Sequence, residues 1–250
     1  MITILTVRCL KKTYGNFNAL SGVSFNIGRG EVFGYLGPNG AGKSTTLKIL
    51  TFASGPTSGD VEYMQKSIFS SAEGAGRYKS SLGYVPEQPF LYDMLTGREF
   101  LNFICDLRRI PVDKRDHVDR YLENFEISAQ ADNLISGYCG GMKKKLSIIS
   151  AIVHFPDIVL LDEPTNSLDA VSVKNFKSII TDLKKCGAAI LLTTHVLEVA
   201  EKLCDRIAII NHGNVVAEGD MKKLREISNR QGSELEDVFL SLTNKAGTEL

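Results

Sequence analysis

Eight consecutive residues, Gly37-Pro38-Asn39-Gly40-Ala41-Gly42-Lys43-Ser44, place glycines, a lysine and a hydroxyl at the spacing that cradles a phosphate chain. Glycines leave room for main-chain N–H groups to close around an anion. Lys43 adds a compact positive charge within reach of β- and γ-phosphates, and the Ser44 hydroxyl is suited to ligate Mg²⁺. A second chemical group lies far downstream, where Asp162 and Glu163 end the apolar run Ile158-Val159-Leu160-Leu161. Carboxylates delivered by a buried strand are costly without a cation, so Mg²⁺ beside them is the simplest account. A helix-capping acid followed by an exposed one is the plainer alternative. Tyr14, just ahead of Gly15, either stacks on a nucleotide base or anchors a loop to a sheet.

These groups need a scaffold that brings them together. Residues 31–36 form a short apolar run before the glycine loop, and 45–50 read as a helix after it, so the loop joins a buried strand to a helix N-terminus. Residues 4–9, 23–27 and 31–36 read as strands, with turn chemistry at 26–30 joining the last two as a hairpin. Further strands are expected at 60–64 and 82–86, while 67–79 fits a helix or a loop. From Thr96 the period changes. Thr96 and Glu99 form a capping box, and Phe100, Phe103, Ile104 and Leu107 repeat at helical spacing until Pro111. Val118, Tyr121, Leu122 and Phe125 mark a second helix, and 143–155 a third. Strands at 158–161 and 188–193 flank a helix over 171–185, and 206–210 with 214–217 read as a hairpin through His212-Gly213. Alternating strands and helices give an α/β core with a mostly parallel sheet.

Composition narrows the function classes. Across 250 residues Lys+Arg and Asp+Glu both number 29, so no global field favours nucleic acid or an anionic membrane surface. The lysines at 143–145 read as the solvated face of a helix. Five dispersed cysteines show no metal spacing and are expected as reduced thiols. The first residues, Met1 to Arg8, alternate like a strand rather than a signal peptide, and no apolar run is long enough to cross a bilayer.

The phosphate loop, the Gly140-Gly141 turn, the Leu-Leu-Asp-Glu strand and the late His195 occur in the order of an ATP-binding cassette (ABC) ATPase subunit, which the chain resembles over nearly its whole length. The resemblance implies a P-loop NTPase core with an N-terminal antiparallel β subdomain and an inserted α-helical subdomain. One domain would span 1–250: core and β subdomain at 1–90 and 156–220, helical subdomain with signature loop at 91–155, and helical tail at 221–250. It implies ATP and Mg²⁺ as cofactors. Tyr14 would stack on adenine, and Gly37, Pro38, Asn39, Gly40, Ala41, Gly42, Lys43, Ser44 and Thr45 would hold the phosphates. Gln88 would touch Mg²⁺ and the attacking water, Asp162 would orient the ion, Glu163 would be the general base, and His195 would contact the γ-phosphate. Asp169 would lie in a loop that crosses to a second subunit.

The family signature is usually Leu-Ser-Gly-Gly-Gln, whereas this chain has Tyr138-Cys139-Gly140-Gly141-Met142. Its glycines are kept, a weaker thiol donor replaces the serine hydroxyl, and the glutamine amide is lost. Cys139, Gly140 and Gly141 would seal the phosphates of a second ATP-binding subunit, identical or not. A transmembrane permease is the other implied partner, nucleic acid is not, and the location implied is the inner face of the cell membrane. The tail at 233–243 is similar to those of exporter subunits. An ABC ATPase uncoupled from a transporter, and a regulatory nucleotide-binding half with weak hydrolysis, are the competing readings.

Overall fold

The computed structural model describes residues 2–230 and 232–245; Met1 and the end of the expected tail, 246–250, lie outside the described residues. β1 (Thr3–Tyr14) and β2 (Phe17–Gly28) form a long antiparallel hairpin turning at Gly15-Asn16. Leu5, Val7 and Leu10 on one strand, and Val23, Phe25 and Ile27 on the other, bury their side chains. β3 (Val32–Leu36) is buried at every position and leads into α1 (Lys43–Leu50). The hairpin expected across 26–30 does not form, because β2 and β3 belong to different sheets. Its turn bonds outward instead: Gly28 N donates to the Glu31 carboxylate and Arg29 N to Ile2 O.

β4 (Ser58–Tyr63) and β5 (Lys66–Ser67) complete a sheet of order β2-β1-β4-β5. The ambiguous stretch that follows contains α2 (Ala72–Ser80), capped by Ser71 Oγ on Gly74 N. β6 (Leu82–Val85) precedes the helical insert. α3 (Gly97–Leu107) opens with the expected Thr96–Glu99 capping box. It ends before Pro111, at a left-handed Arg109 (φ 57°) after which Ile110 N reaches back to Cys105 O. α4 (Asp116–Asn124) buries Val118 and Leu122. α5 (Gly140–Ile152) starts at Gly140 rather than Lys143, so the signature glycines form its first turn.

The remaining elements alternate: β7 (Ile158–Asp162), α6 (Ala170–Lys185), β8 (Ala189–Thr193), α7 (Leu197–Leu203), β9 (Arg206–Asn211), β10 (Asn214–Gly219), α8 (Met221–Ser228) and α9 (Leu235–Lys245). The second sheet runs β10-β9-β3-β8-β7-β6 and is parallel except for the β9–β10 hairpin. Layers cover both faces, which is why β3, β7 and β8 are continuous apolar runs. The antiparallel sheet and α1 cover one face, where Phe25 stacks on Phe33 at 5.2 Å between ring centres. α3 to α6 cover the other. The tail is docked through Leu224, Leu235, Val238 and Leu242 against Leu36, Ile207 and Ile209. Among the described residues no helix is long and apolar enough to cross a membrane.

Candidate functional site

Four parallel strands deliver their C-terminal ends to one edge of the sheet, the usual ligand position in α/β folds. β3 runs into the glycine loop, β6 into Pro86-Glu87, β7 into Asp162-Glu163 and β8 into Thr194-His195. The cavity at that edge, of about 570 Å³, is lined by Asn39, Gly40, Gly42, Lys43, Ser44 and Thr45 from the loop and α1. Glu87, Asp162, Glu163 and His195 face it from the other strands, and Phe17 with Ala19 from β2.

The loop is shaped by steric necessity. Gly42 caps α1 at φ 112°, and a Cβ there would meet Ala19 O at 2.8 Å. The first N–H groups of a helix have no intrahelical partner, so the start of α1 presents donors to the cavity. Lys43 Nζ donates to Gly37 O and to Pro38 O (3.0 Å), which holds the ammonium over the loop. Burial lowers its pKa, opposed by Glu163, Asp162 and Glu87. A phosphate oxygen is a stronger, charged acceptor than either carbonyl.

The acids are positioned by β8. Asp162 Oδ1 accepts from Thr193 Oγ1 at 2.6 Å, in register across the β7–β8 ladder. Burial pushes the Asp162 carboxyl above its ordinary range; the Thr193 hydroxyl opposes this, and Glu87 and Glu163 reinforce it. Glu163 takes a left-handed backbone, φ 46°, rare for a side-chain-bearing residue. Its Oε2 accepts from His195 N at 3.2 Å and lies 2.9 Å from His195 Nδ1. Among the described residues no three His, Cys, Asp or Glu side chains cluster to hold a resident metal. One buried carboxylate and one hydroxyl suit Mg²⁺, which is commonly held by few protein oxygens plus substrate phosphates.

Several expected residues lie away from this cavity. Gln88 is not part of its lining; the preceding residue, Glu87, is. Tyr14 is the last residue of β1 rather than a loop residue, half exposed, with Lys12 Nζ 4.9 Å over its ring. Its cross-strand partner Phe17, 63 % exposed, faces the cavity instead. Gly37, Pro38 and Ala41 shape the loop without lining the cavity.

The signature residues also sit apart from their own chain's cavity. Cys139 is the exposed N-cap of α5 and makes no side-chain cap bond. Tyr138 anchors the loop by donating to Gln130 O at 2.7 Å, and Met142 packs into the helical core. A Cβ on Gly141 would meet Ser167 O at 2.8 Å, whereas one on Gly140 would find open space. Asp169 caps α6 through Ser172 and pairs with Lys145 at 3.5 Å, and the Ser172 bonds draw its carboxyl down to about 2.

Comparison with known proteins fits this geometry. The profile of the ABC transporter family matches residues 20–166. The chain belongs to that family. It is similar to the bacitracin transport ATP-binding protein BcrA of Bacillus licheniformis, at 33% identity over 98% of this chain and 78% of that protein. A solved ATP-binding subunit of an ABC transporter superposes with a TM-score of 0.90, at 30% identity, covering 96% of this chain and 99% of that one. An ATP-binding cassette solved as a dimer in a post-hydrolysis state, bound to ADP and Pi, gives a TM-score of 0.77 at 25% identity, covering 87% and 99%. The chain is an ABC transporter ATP-binding subunit with the α/β cassette fold.

Sequence reasoning missed Glu87, Phe17 and Thr193. Glu87 adjoins the glutamine that drew attention, and Phe17 is a second aromatic beside the Gly15 turn. Thr193 had no signal beyond ending a strand. The lysines at 143–145 do not form a solvated face: Lys144 and Lys145 are 2 % and 8 % exposed.

Proposed function

We propose that the chain hydrolyses ATP held with Mg²⁺ at the glycine loop, as one half of a head-to-tail pair that drives export through a separate transmembrane partner. One observation carries this reading: Glu163 and His195 converge on the cavity at the start of α1, with the Glu163 carboxylate held by the His195 main chain and ring. Phosphoryl transfer needs positioning and charge neutralisation more than covalent chemistry. The loop N–H groups and Lys43 bind the phosphates, and Ser44 with Asp162 hold the ion, which when bound neutralises phosphate charge. Glu163 aligns the attacking water and accepts its proton, while His195 contacts the γ-phosphate. Glu87 takes the place that resemblance gave to Gln88, because it faces the cavity. Tyr14 and Phe17 together flank the position of the base at the end of the hairpin.

Cys139, Gly140, Gly141 and Asp169 then serve the neighbouring subunit's nucleotide, in keeping with their distance from their own cavity. The dimeric cassette described above supports pairing of this kind. A groove of about 1120 Å³ between β6, α3 and α5 is the docking place for the membrane partner. Phe90 (94 % exposed) and Tyr92 (59 %) stand at its rim, and exposed apolar patches of this kind mark protein contacts. Export is favoured by the tail's similarity to exporter subunits. Native purification followed by a phosphate-release assay tests the whole reading. A co-purifying membrane protein and Mg²⁺-dependent phosphate release are expected; ATP binding without release, even with that partner present, refutes it.

A further inference from the structure

Three adjacent lysines on α5 do three different things. Lys143 pairs with Asp93 at 2.9 Å and Lys145 with Asp169 at 3.5 Å, and both aspartates are exposed. Lys144 is buried, and among the described residues its Nζ donates only to main-chain carbonyls: Glu87 O at 2.6 Å, Pro86 O at 3.0 Å and Glu163 O at 3.4 Å. An ammonium has three donors, and here each finds an acceptor. These acceptors come from two separate loops, after β6 and after β7, so one side chain ties both to α5.

The contact with Glu163 is the informative one. A left-handed backbone at a residue with a side chain persists only where its surroundings over-determine it. At Glu163, N donates to Thr193 O, the carbonyl accepts from Asn166 N and from Lys144, and the carboxylate faces His195. Rotating that peptide to the right-handed region would swing the carboxylate away from the cavity. Burial lowers the Lys144 pKa from its ordinary value, opposed by Asp162, Glu87 and Glu163.

α5 also begins with the signature glycines, one turn ahead of Lys144. We infer that Lys144 is a positioning residue: it fixes the main chain of Glu163 relative to the signature end of α5, so that engagement of the signature loop and orientation of the general base are set together. This rests on the ATPase reading above and deepens it. Lys144 does not line the cavity at the glycine loop; its effect passes through Glu163.

Two substitutions in the full-length chain test it, K144M, which keeps an unbranched side chain but removes all donors, and K144R, which keeps charge and donors. Three readouts are taken: affinity for ATP by equilibrium titration, kcat and KM for phosphate release, and hydrogen–deuterium exchange over residues 162–168 without nucleotide. K144M is expected to lower kcat roughly ten- to hundredfold, the scale of a misplaced reacting group. KM and ATP affinity stay within about twofold, because the phosphate loop is untouched. Exchange over 162–168 rises in K144M, and K144R recovers most of both the rate and the protection. Should K144M fail to fold, K144Q, which is polar but one atom shorter, uncharged and with at most two donors, carries the same test with losses in the same direction. Unchanged kcat, unchanged exchange, or equal losses of affinity and rate in both variants overturns the inference. Absence of phosphate release by the wild-type chain with its membrane partner present would instead fail the ATPase reading, and the exchange data would still decide whether Lys144 holds Glu163.

Discussion

Replacing Glu163 with glutamine separates binding from chemistry, and the structure sets the size of each effect. The Glu163 Oε2 atom accepts from His195 N at 3.2 Å and lies 2.9 Å from His195 Nδ1. An amide oxygen keeps the first contact at the same length. The second loses its charge, but the His195 side chain is 66 % exposed, so the loss is at most about 1 kcal/mol after solvent screening. The melting midpoint should therefore fall by no more than about 2–4 °C. Neither Lys43 nor the α1 N-terminus changes, so ATP affinity is retained. The amide cannot accept a proton from water, and losing a general base costs roughly 10²–10⁴ in rate, about 3–5 kcal/mol in barrier. Steady-state phosphate release measures the rate, and size-exclusion chromatography with ATP and Mg²⁺ should reveal an accumulated nucleotide-bound dimer. Wild-type phosphate release by Glu163→Gln refutes the assignment of the base.

Three further perturbations address other parts of the site. Lys43→Ala removes a charge-assisted contact worth about 1.5–3 kcal/mol and should weaken ATP binding roughly 10- to 100-fold by titration. Cys139→Ser restores an oxygen to an N-cap that makes no side-chain bond, and should stabilise the chain by about 0.5–1 kcal/mol in thermal melts while raising phosphate release. His154 gives a pH prediction. Burial, and Arg108 beside it, lower its pKa from 6.5 to about 4, and its Nδ1 is buried with no partner among the described residues. The unfolded chain binds the proton more tightly, so stability should be lost as pH falls from 6.5 towards 4. Allowing for its partial exposure this amounts to about 1–2 kcal/mol, and His154→Leu should flatten the slope in pH-dependent melts.

What the sequence made legible follows from what is local. β3, β7 and β8 were readable because strands covered on both faces are apolar throughout. The Thr96–Glu99 box was readable because a cap is formed within four residues. The turn at 26–30 misled because turn chemistry says nothing about which sheet receives the next strand. Gln88 and Glu87 could not be separated, since a loop leaving a strand has no period to assign its facing side chain. Lys144 was invisible for a similar reason. Its acceptors at Pro86, Glu87 and Glu163 are distant in sequence, so only tertiary structure turns a charge run into a buried clasp.

The two signature glycines separate intrachain packing from recognition. Gly141 has an internal reason to lack a side chain, because a Cβ would press on Ser167 O and displace the loop leading to Asp169. Gly140 has none: a Cβ there meets no atom within 4 Å outside its own helix turn. A helical glycine costs up to about 1 kcal/mol relative to alanine, so an exposed one at the start of α5 is unfavourable for the isolated chain. Its neighbour Cys139 adds no cap bond to offset that cost. The proposed head-to-tail pair gives such an exposed helix N-terminus a use, since its bare main-chain N–H groups leave room for a group from outside the chain. In the head-to-tail pair proposed above, that visitor is the neighbouring subunit's triphosphate. Lys144, one turn further along the same helix, then lies between the nucleotide this chain seals and the one its own Glu163 serves.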